Sequence, residues 1–275
     1  MDEQEDDWPA PPEDVDTGER LVAWIQQGGL EGWDRLWLGD IALDVGSAGA
    51  LAALPALLRL KALNLTLEGG DAVIRPLLAS PYLAGLTELD LDGTWITVSS
   101  AQVIATAPAL ANVTTLSLGS NELGDAGVAA VAASPVLRHV TSLGLHNNGV
   151  GDAGAWALAA SSLLQHVSFL DLALNAIGDA GAQALAASPL LGHLTILDIH
   201  DNQLTDIGVR ALAASAHLAN LEHLDICDQT GQMSEVAQRA VVTSPHLRRL
   251  ASLCLEGEEL DQQDIEGLRR RFAPE

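Results

Sequence analysis

Nine units of the form LxxLxLxxN, some of them degenerate, follow one another at nearly constant spacing, and this register constrains the fold more than any other property of the chain. The middle leucines are Leu36, Leu63, Leu89, Leu116, Leu143, Leu170, Leu197, Leu224 and Leu253, separated by 27, 26, 27, 27, 27, 27, 27 and 29 residues. A period of this length means one supersecondary unit stacked along an axis. No single unit can bury its apolar face alone, so neighbouring units must supply the core to one another.

Each unit divides its labour. In the xLxLx stretch the apolar residues recur at period two, which predicts a short strand with its leucines on one face. Downstream comes an Ala/Leu-rich stretch of good helix formers, as in Gly151-Asp152-Ala153-Gly154 followed by AWALAA. Asp125, Asp152, Asp179 and Asp206 fall at the predicted helix starts, where a carboxylate caps free N–H groups. Ser134-Pro135, Ser188-Pro189 and Ser244-Pro245 mark the ends, because proline cannot continue the ladder.

These units resemble leucine-rich repeats of the long, ribonuclease-inhibitor-like type, and the GAxALA and ALAASP phrasing is similar to repeats in bacterial proteins. The resemblance covers roughly residues 33–258. It implies an α/β fold: a curved, right-handed leucine-rich repeat solenoid of about nine repeats, with a parallel sheet on the concave face and α-helices on the convex one. It also implies that Asn121, Asn148, Asn175 and Asn202 form a structural ladder, with Thr94, Gln229 and Glu258 in its place elsewhere. The expected organisation is a disordered acidic tail over 1–18, an N-terminal capping helix over 19–32, the repeats over 33–258 and a C-terminal capping helix over 259–275. Arg269, Arg270 and Arg271 would then sit at the negative end of the closing helix.

Formal charge is −24, from 37 acids against 13 bases. Nine of the acids lie in residues 1–19, so the tail alone does not account for the excess. Such a chain repels phosphate backbones and anionic lipid, which argues against nucleic-acid and membrane-surface binding. The start of the sequence is acidic rather than basic, and the longest apolar stretch, near 46–58, is too short to span a bilayer. A cytoplasmic monomer is expected.

The motifs of chemistry are weak. Gly149-Val150-Gly151-Asp152-Ala153-Gly154 satisfies GxGxxG, but Gly151 and Gly154 recur as Gly124/Gly127 and Gly178/Gly181, so the match is a by-product of the repeat. His139, His166 and His193 recur before successive strands, with Asn112 and Asn220 in the same register, and are expected to form a ladder to backbone groups. No enzyme and no cofactor is expected. The resemblance leaves an enzyme-regulating role open, such as GTPase activation, without a motif that would carry it.

The informative residues lie between the inward leucines and should line the sheet face. Asp171, Asp198 and Asp225 form a column of like charges about 4.8 Å apart, which needs compensation. That column reads either as family consensus on a wet surface or as a patch for a basic partner, and the second reading is adopted. Phe169 serves as the apolar anchor, and His146, His200, His223 and Cys227 complete the expected partner-binding face. Glu88, Asp90 and Asp92 form a second acidic strand, Trp37 is expected under the N-terminal cap, and Trp156 outside on the helices. A metal centre near Asp198–Cys227 is an alternative, since Asp198, His200, His223, Asp225 and Cys227 bring N, O and S donors together. Cys227 and Cys254 should sit two residues out of register, with Cβ atoms roughly 8 Å apart, and remain free thiols.

Overall fold

The computed structural model describes residues 9–39, 41–65, 70–230, 233–255 and 258–272. Strands and helices alternate along the chain, and among the described residues the strands make one sheet in sequence order. The strands are β1 (Arg35–Trp37), β2 (Ala62–Asn64), β3 (Glu88–Asp90), β4 (Thr115–Ser117) and β5 (Ser142–Gly144). They continue as β6 (Phe169–Asp171), β7 (Ile196–Asp198), β8 (His223–Asp225), β9 (Ser252–Leu255) and β10 (Glu258–Asp261). The helices are α1 (Gly18–Gln26), α2 (Val45–Ala52), α3 (Gly70–Leu78), α4 (Val98–Thr106) and α5 (Gly124–Ala132). After them come α6 (Asp152–Ala159), α7 (Asp179–Ala187), α8 (Asp206–Ala213), α9 (Glu235–Val242) and α10 (Gln262–Arg271).

The pairing is the one the leucine register predicts. Strands β1 to β9 are parallel, and the middle leucines pair in an unbroken row from Leu36 to Leu253. Every leucine of that row is buried, and so is a second row running from Leu38 through Ile199 to Leu255. A fully buried leucine contributes about 2 kcal/mol, so these two rows outweigh any single hydrogen bond in the stack. Helices are about 10 Å across and strands about 4.8 Å apart, so a stack with helices on one side must curve toward its sheet. The sheet side is therefore concave.

Three side-chain ladders join one repeat to the next. The asparagines behave as expected: Asn202 Nδ2 donates to the carbonyls of Leu172, Ile199 and His200 at 2.9, 3.1 and 2.9 Å, and its Oδ1 accepts from Ile177 N–H at 2.9 Å. Gln229 and Thr94 substitute for it at the two ends. The serines before the prolines do more than stop a helix. Ser188 Oγ donates to the Ala159 carbonyl of the preceding repeat at 2.6 Å and accepts the Leu190 N–H at 3.3 Å; Ser80, Ser134 and Ser244 make the same inter-repeat bond, as do Ser161 and Ser215, which no proline follows.

The aspartate ladder corrects the sequence expectation. These residues do not cap their own helices; each caps the helix of the next repeat. Asp125 Oδ1 accepts from Gly151 and Gly154, and Asp152 Oδ1 from Gly178 and Gly181, at 2.7–2.9 Å. A Cβ on Gly181 would lie 2.8 Å from Asp152 Oδ1, which is why the second glycine of Gly-Asp-Ala-Gly has no side chain. The same bonds dispose of the GxGxxG match, because the N–H groups a phosphate would need already bind Asp125.

The ends differ from expectation. Residues 1–8 of the expected disordered tail lie outside the described residues. Residues 9–17 are laid along the first repeat: Val15 is buried, Thr17 bridges to Ala42, and the Trp37 N–H donates to the Pro9 carbonyl. One well-placed apolar side chain and these backbone bonds outweigh the acidic composition. The helix α1 buries Leu21 and Ile25 against the stack, and Trp24 packs on Trp33 with centroids 5.2 Å apart. At the other end residues 258–261 form a strand, antiparallel to β9, before α10 closes the stack. Arg269 reaches out of α10 to the carbonyls of Val242 and Leu247, at 3.0 and 2.8 Å.

Cys227 and Cys254 are joined as a disulfide, against the expectation of free thiols, with Cα atoms 5.5 Å apart. Asp225, not Cys227, is the register partner of Cys254. Strand β8 ends there, and the Cys227 N–H turns back onto Asp225 Oδ1 at 2.9 Å. The chain no longer advances by a strand step per residue, so the two-residue offset closes. No helix among the described residues is long and apolar enough to cross a membrane.

Candidate functional site

The outward residues of the sheet form three rows across the strands. The first holds Ser142, Phe169, Ile196 and His223, the second Gly144, Asp171, Asp198, Asp225 and Cys254. A third, just past the strand ends, holds Gly119, His146, Ala173, His200 and Cys227. Phe169 and Ile196 are adjacent and half-buried, so the apolar anchor is a pair rather than a lone ring. His223 beside them is exposed.

The aspartates of the second row share one local device. Asp90, Asp171, Asp198 and Asp225 each accept, through Oδ1, the backbone N–H two residues on, at 2.9–3.1 Å. This side-chain turn bends the chain out of the sheet toward the asparagine ladder. Aspartate after the middle leucine thus has a structural use at every repeat that carries it, and its second oxygen is left for other work.

Beyond that turn, the two acidic groups are partnered differently. In the first, Glu88 pairs with Arg35 at 3.1 Å, Asp90 accepts from Asn64 Nδ2 at 2.6 Å, and Asp92 accepts from Ser117 Oγ and Gly119 N–H at 2.6 and 2.5 Å. Burial raises the Asp90 pKa above the usual carboxylate value, and neighbouring Asp92 and Glu88 add to the rise. In the second group, among the described residues, the charged partners of opposite sign within ion-pair distance are histidines. His146 Nδ1 lies 3.0 Å from Asp171 Oδ2, and His200 Nδ1 lies 2.7 Å from Asp198 Oδ1. No lysine or arginine among the described residues stands within that range of Asp171, Asp198 or Asp225.

His146 links the two groups. Its Nε2 lies 3.5 Å from Asp92 Oδ2, reached across an intervening repeat because Gly119 has no side chain; a Cβ there would stand 2.1 Å from the imidazole. The bond from Asp171 raises the His146 pKa, against the effect of burial, and Asp92 and Asp198 add to the rise. At His200 burial alone would lower the pKa, but Asp198, Asp225 and Asp201 outweigh it and the net shift is upward. Burial raises Asp198, with Asp171 adding and the His200 contacts opposing.

Five of the expected face residues, His146, Asp171, Asp198, His200 and Asp225, come together through these contacts and the strand register. Cys227 is buried in the disulfide and offers no surface to a partner. Ile196 as part of the apolar pair and the reach of His146 to Asp92 were not evident in the sequence. Gly119, a bare position between two polar ones in its row, is the signal that announces the second of these. Trp95 was not evident either; it is 64% exposed, in the unit whose turn departs from the repeat pattern. Trp156 is 66% exposed on α6, as expected. The outer ladder holds at its asparagines, where Asn112 and Asn220 donate to the Ala84 and Gly192 carbonyls. His139, His166 and His193 instead stand exposed along a shallow groove with Arg138.

The Leucine Rich repeat family model matches residues 109–132, 136–159, 164–186 and 193–213. Similar solved structures include an internalin (InlF) from Listeria monocytogenes, 19% identical, with a TM-score of 0.45 over 86% of this chain and 71% of that one. Internalin C2 from the same organism is 22% identical, with a TM-score of 0.48 over 78% of this chain and 84% of that one. No curated protein matches the sequence. The chain carries leucine-rich repeats, and its fold is a leucine-rich repeat solenoid.

Proposed function

We propose that the chain is a non-enzymatic protein-interaction module that holds a basic partner segment on its concave face between β5 and β9. The observation that carries this reading is the row Asp171, Asp198 and Asp225, three carboxylates in register with histidines as their only ion-pair partners among the described residues. A lysine or arginine brought to this row relieves the repulsion between neighbouring carboxylates. Phe169 and Ile196 supply an apolar surface beside it, and His146, His200 and His223 complete the rim. The first acidic group is satisfied by Arg35, Asn64 and Ser117 and offers a partner less.

The same proposal takes the protein as a cytoplasmic monomer of the ribonuclease-inhibitor-like, bacterial type. Support for the type is the α-helix of eight or nine residues in each repeat. Disulfides are rare in reducing compartments, so in the cytoplasm the Cys227–Cys254 pair would spend much of its time as thiols.

A tagged pull-down from native lysate, at low and high salt, compares the wild type with the Asp171/Asp198/Asp225→Asn triple variant. The reading expects basic proteins retained by wild type at low salt and lost from the variant, since exposed charge pairing is screened by salt. Equal retention by both proteins, at both salt concentrations, removes the acidic row from the binding surface.

A further inference from the structure

We propose that Cys227, Cys254, Asp225 and His200 form a zinc site that assembles only when the disulfide is open, which makes the last repeats a thiol-gated metal centre. This stands independently of the partner reading. One ligand atom from each of Asp225, Cys227 and Cys254 lies within 4.8 Å of the others, and the same holds for Asp198, His200 and Asp225. Asp225 is common to both sets, so its carboxylate links the cysteine pair to His200 and Asp198.

The geometry suits zinc. Tetrahedral zinc with sulfur and nitrogen or oxygen ligands holds its donor atoms roughly 3.3–3.8 Å apart. Side-chain rotation around Asp225, the residue both sets share, has to bring His200 and the two sulfurs to that spacing, and the strand register places the three elements side by side. Strand pairing sets Asp225 beside Cys254, and the Cys227 N–H on Asp225 Oδ1 holds the turn that delivers the second sulfur. Asp198 Oδ1, 2.7 Å from His200 Nδ1, leaves Nε2 as the nitrogen for a metal and orients the ring, the carboxylate–histidine arrangement usual around zinc. Two thiolates with one imidazole and one carboxylate favour zinc over the hard cations.

The gate follows from the chemistry of sulfur. In the disulfide each Sγ is spent on the other, and the oxygens and nitrogen of Asp198, His200 and Asp225 remain. A dithiol reductant breaks the Sγ–Sγ bond by exchange: two electrons and two protons pass to the cysteines, and the reductant leaves as its own disulfide. Zinc then displaces the two thiol protons to solvent, and the site carries two thiolates, one carboxylate and one neutral imidazole around Zn²⁺.

The test uses the purified full chain, reduced with a phosphine or left oxidised, with zinc alone as probe. Zinc is measured after dialysis, and cobalt is substituted to look for thiolate charge-transfer absorption. The expected result is one zinc per reduced chain, none retained by the oxidised chain, and loss in reduced Cys254→Ser. His200→Gln weakens affinity about 10–100-fold, as removal of a ligand or its support does. The His139/His166/His193→Gln variant retains zinc, which excludes the outer histidine groove. No zinc on the reduced wild type, equal zinc in both redox states, or zinc kept by Cys254→Ser overturns the proposal. Should Cys254→Ser fail to fold by circular dichroism, the reduced-against-oxidised comparison on the wild type and the cobalt spectrum still decide it.

Discussion

Asp179 Oδ1 accepts the Gly208 N–H at 2.8 Å across the boundary between two repeats, although Asp179 belongs to α7 and Gly208 to α8. The same carboxylate takes the Thr205 N–H and hydroxyl at 2.9 and 2.7 Å. Helices α4, α6, α7, α8 and α9 are thus each started by an acid from the helix before, so their capping energy is interface energy between repeats. In a stack whose stability is a sum of such neighbour terms, loss of one weakens a joint rather than a helix.

Asp179→Ala is expected to destabilise the protein by about 1–2 kcal/mol, the usual range for losing a capping side chain. Urea unfolding at pH 7 measures it. The effect carries a pH signature. Burial alone would raise the Asp179 pKa, but the Thr205 and Gly208 bonds outweigh it and hold it below the usual value of 3.8. Asp71 and Asp206 are lowered likewise, Asp71 by Ser100 and Thr97 against burial, and Asp206 by Ser234. A lowered folded-state pKa gives stability that is present above 3.8 and lost as the pH falls through the folded value. The wild type should therefore lose stability steeply below pH 4, and Asp179→Ala should lose less across that window. Parallel acid limbs for the two proteins would contradict this assignment.

Asn202→Ala should cost more, about 3 kcal/mol or above. The residue is 0% exposed, and its amide satisfies three carbonyls and one N–H inside the stack. Each buried polar group left without a partner costs about 1–3 kcal/mol, and water does not reach them. Denaturant unfolding of this variant beside Asp179→Ala orders the two ladders; an Asn202→Ala cost at or below that of Asp179→Ala would reverse the order.

Leu174→Asn is expected to stabilise the protein by about 1 kcal/mol. Leu174 has φ of +56°, a left-handed conformation that disfavours most side chains and that asparagine tolerates. The corresponding turn residues are Ser120, Asn147, Asp201 and Asp228, all polar and all left-handed. Leu174 is also 46% exposed, so the exchange removes no core contact. A lower midpoint in thermal unfolding would show that its side chain contributes more than its backbone costs.

The repeat register made the sheet legible from sequence, because a period-two leucine pattern at constant spacing leaves one way to pair the strands. What it hid were contacts that cross from one repeat to the next. Asp125 reads as a cap for its own α5, and nothing along one dimension says that its carboxylate faces Gly151 and Gly154 instead. The disulfide was hidden for a related reason. Counting residues assumes an extended chain beyond Asp225, whereas the side-chain turn at Asp225 shortens the path and brings Cys227 back to Cys254. The acidic column was visible, but not that its first oxygens are committed to the turns, nor that Gly119 opens the way for His146 to reach Asp92.

That reach gives the last expectation. His146 faces Asp92 and Asp171 directly, with Asp198 further along the row, and no lysine or arginine among the described residues lies within ion-pair distance of those carboxylates. The Asp171 bond raises its pKa above 6.5 despite burial. A raised folded-state pKa gives a histidine stability that is fully present below the unfolded value and lost as the pH rises through the folded one. Thermal midpoints should therefore rise as the pH is lowered from about 8.5 to 6, before the aspartate ladder begins to fail in stronger acid. His146→Gln keeps a hydrogen-bonding side chain without the titration, so its midpoint should change less over the same interval. NMR titration of the imidazole reads the same quantity directly. A His146 pKa at or below 6.5, or equal pH slopes for variant and wild type, would mean that the bridge between Asp92 and Asp171 does not hold a charged ring in solution.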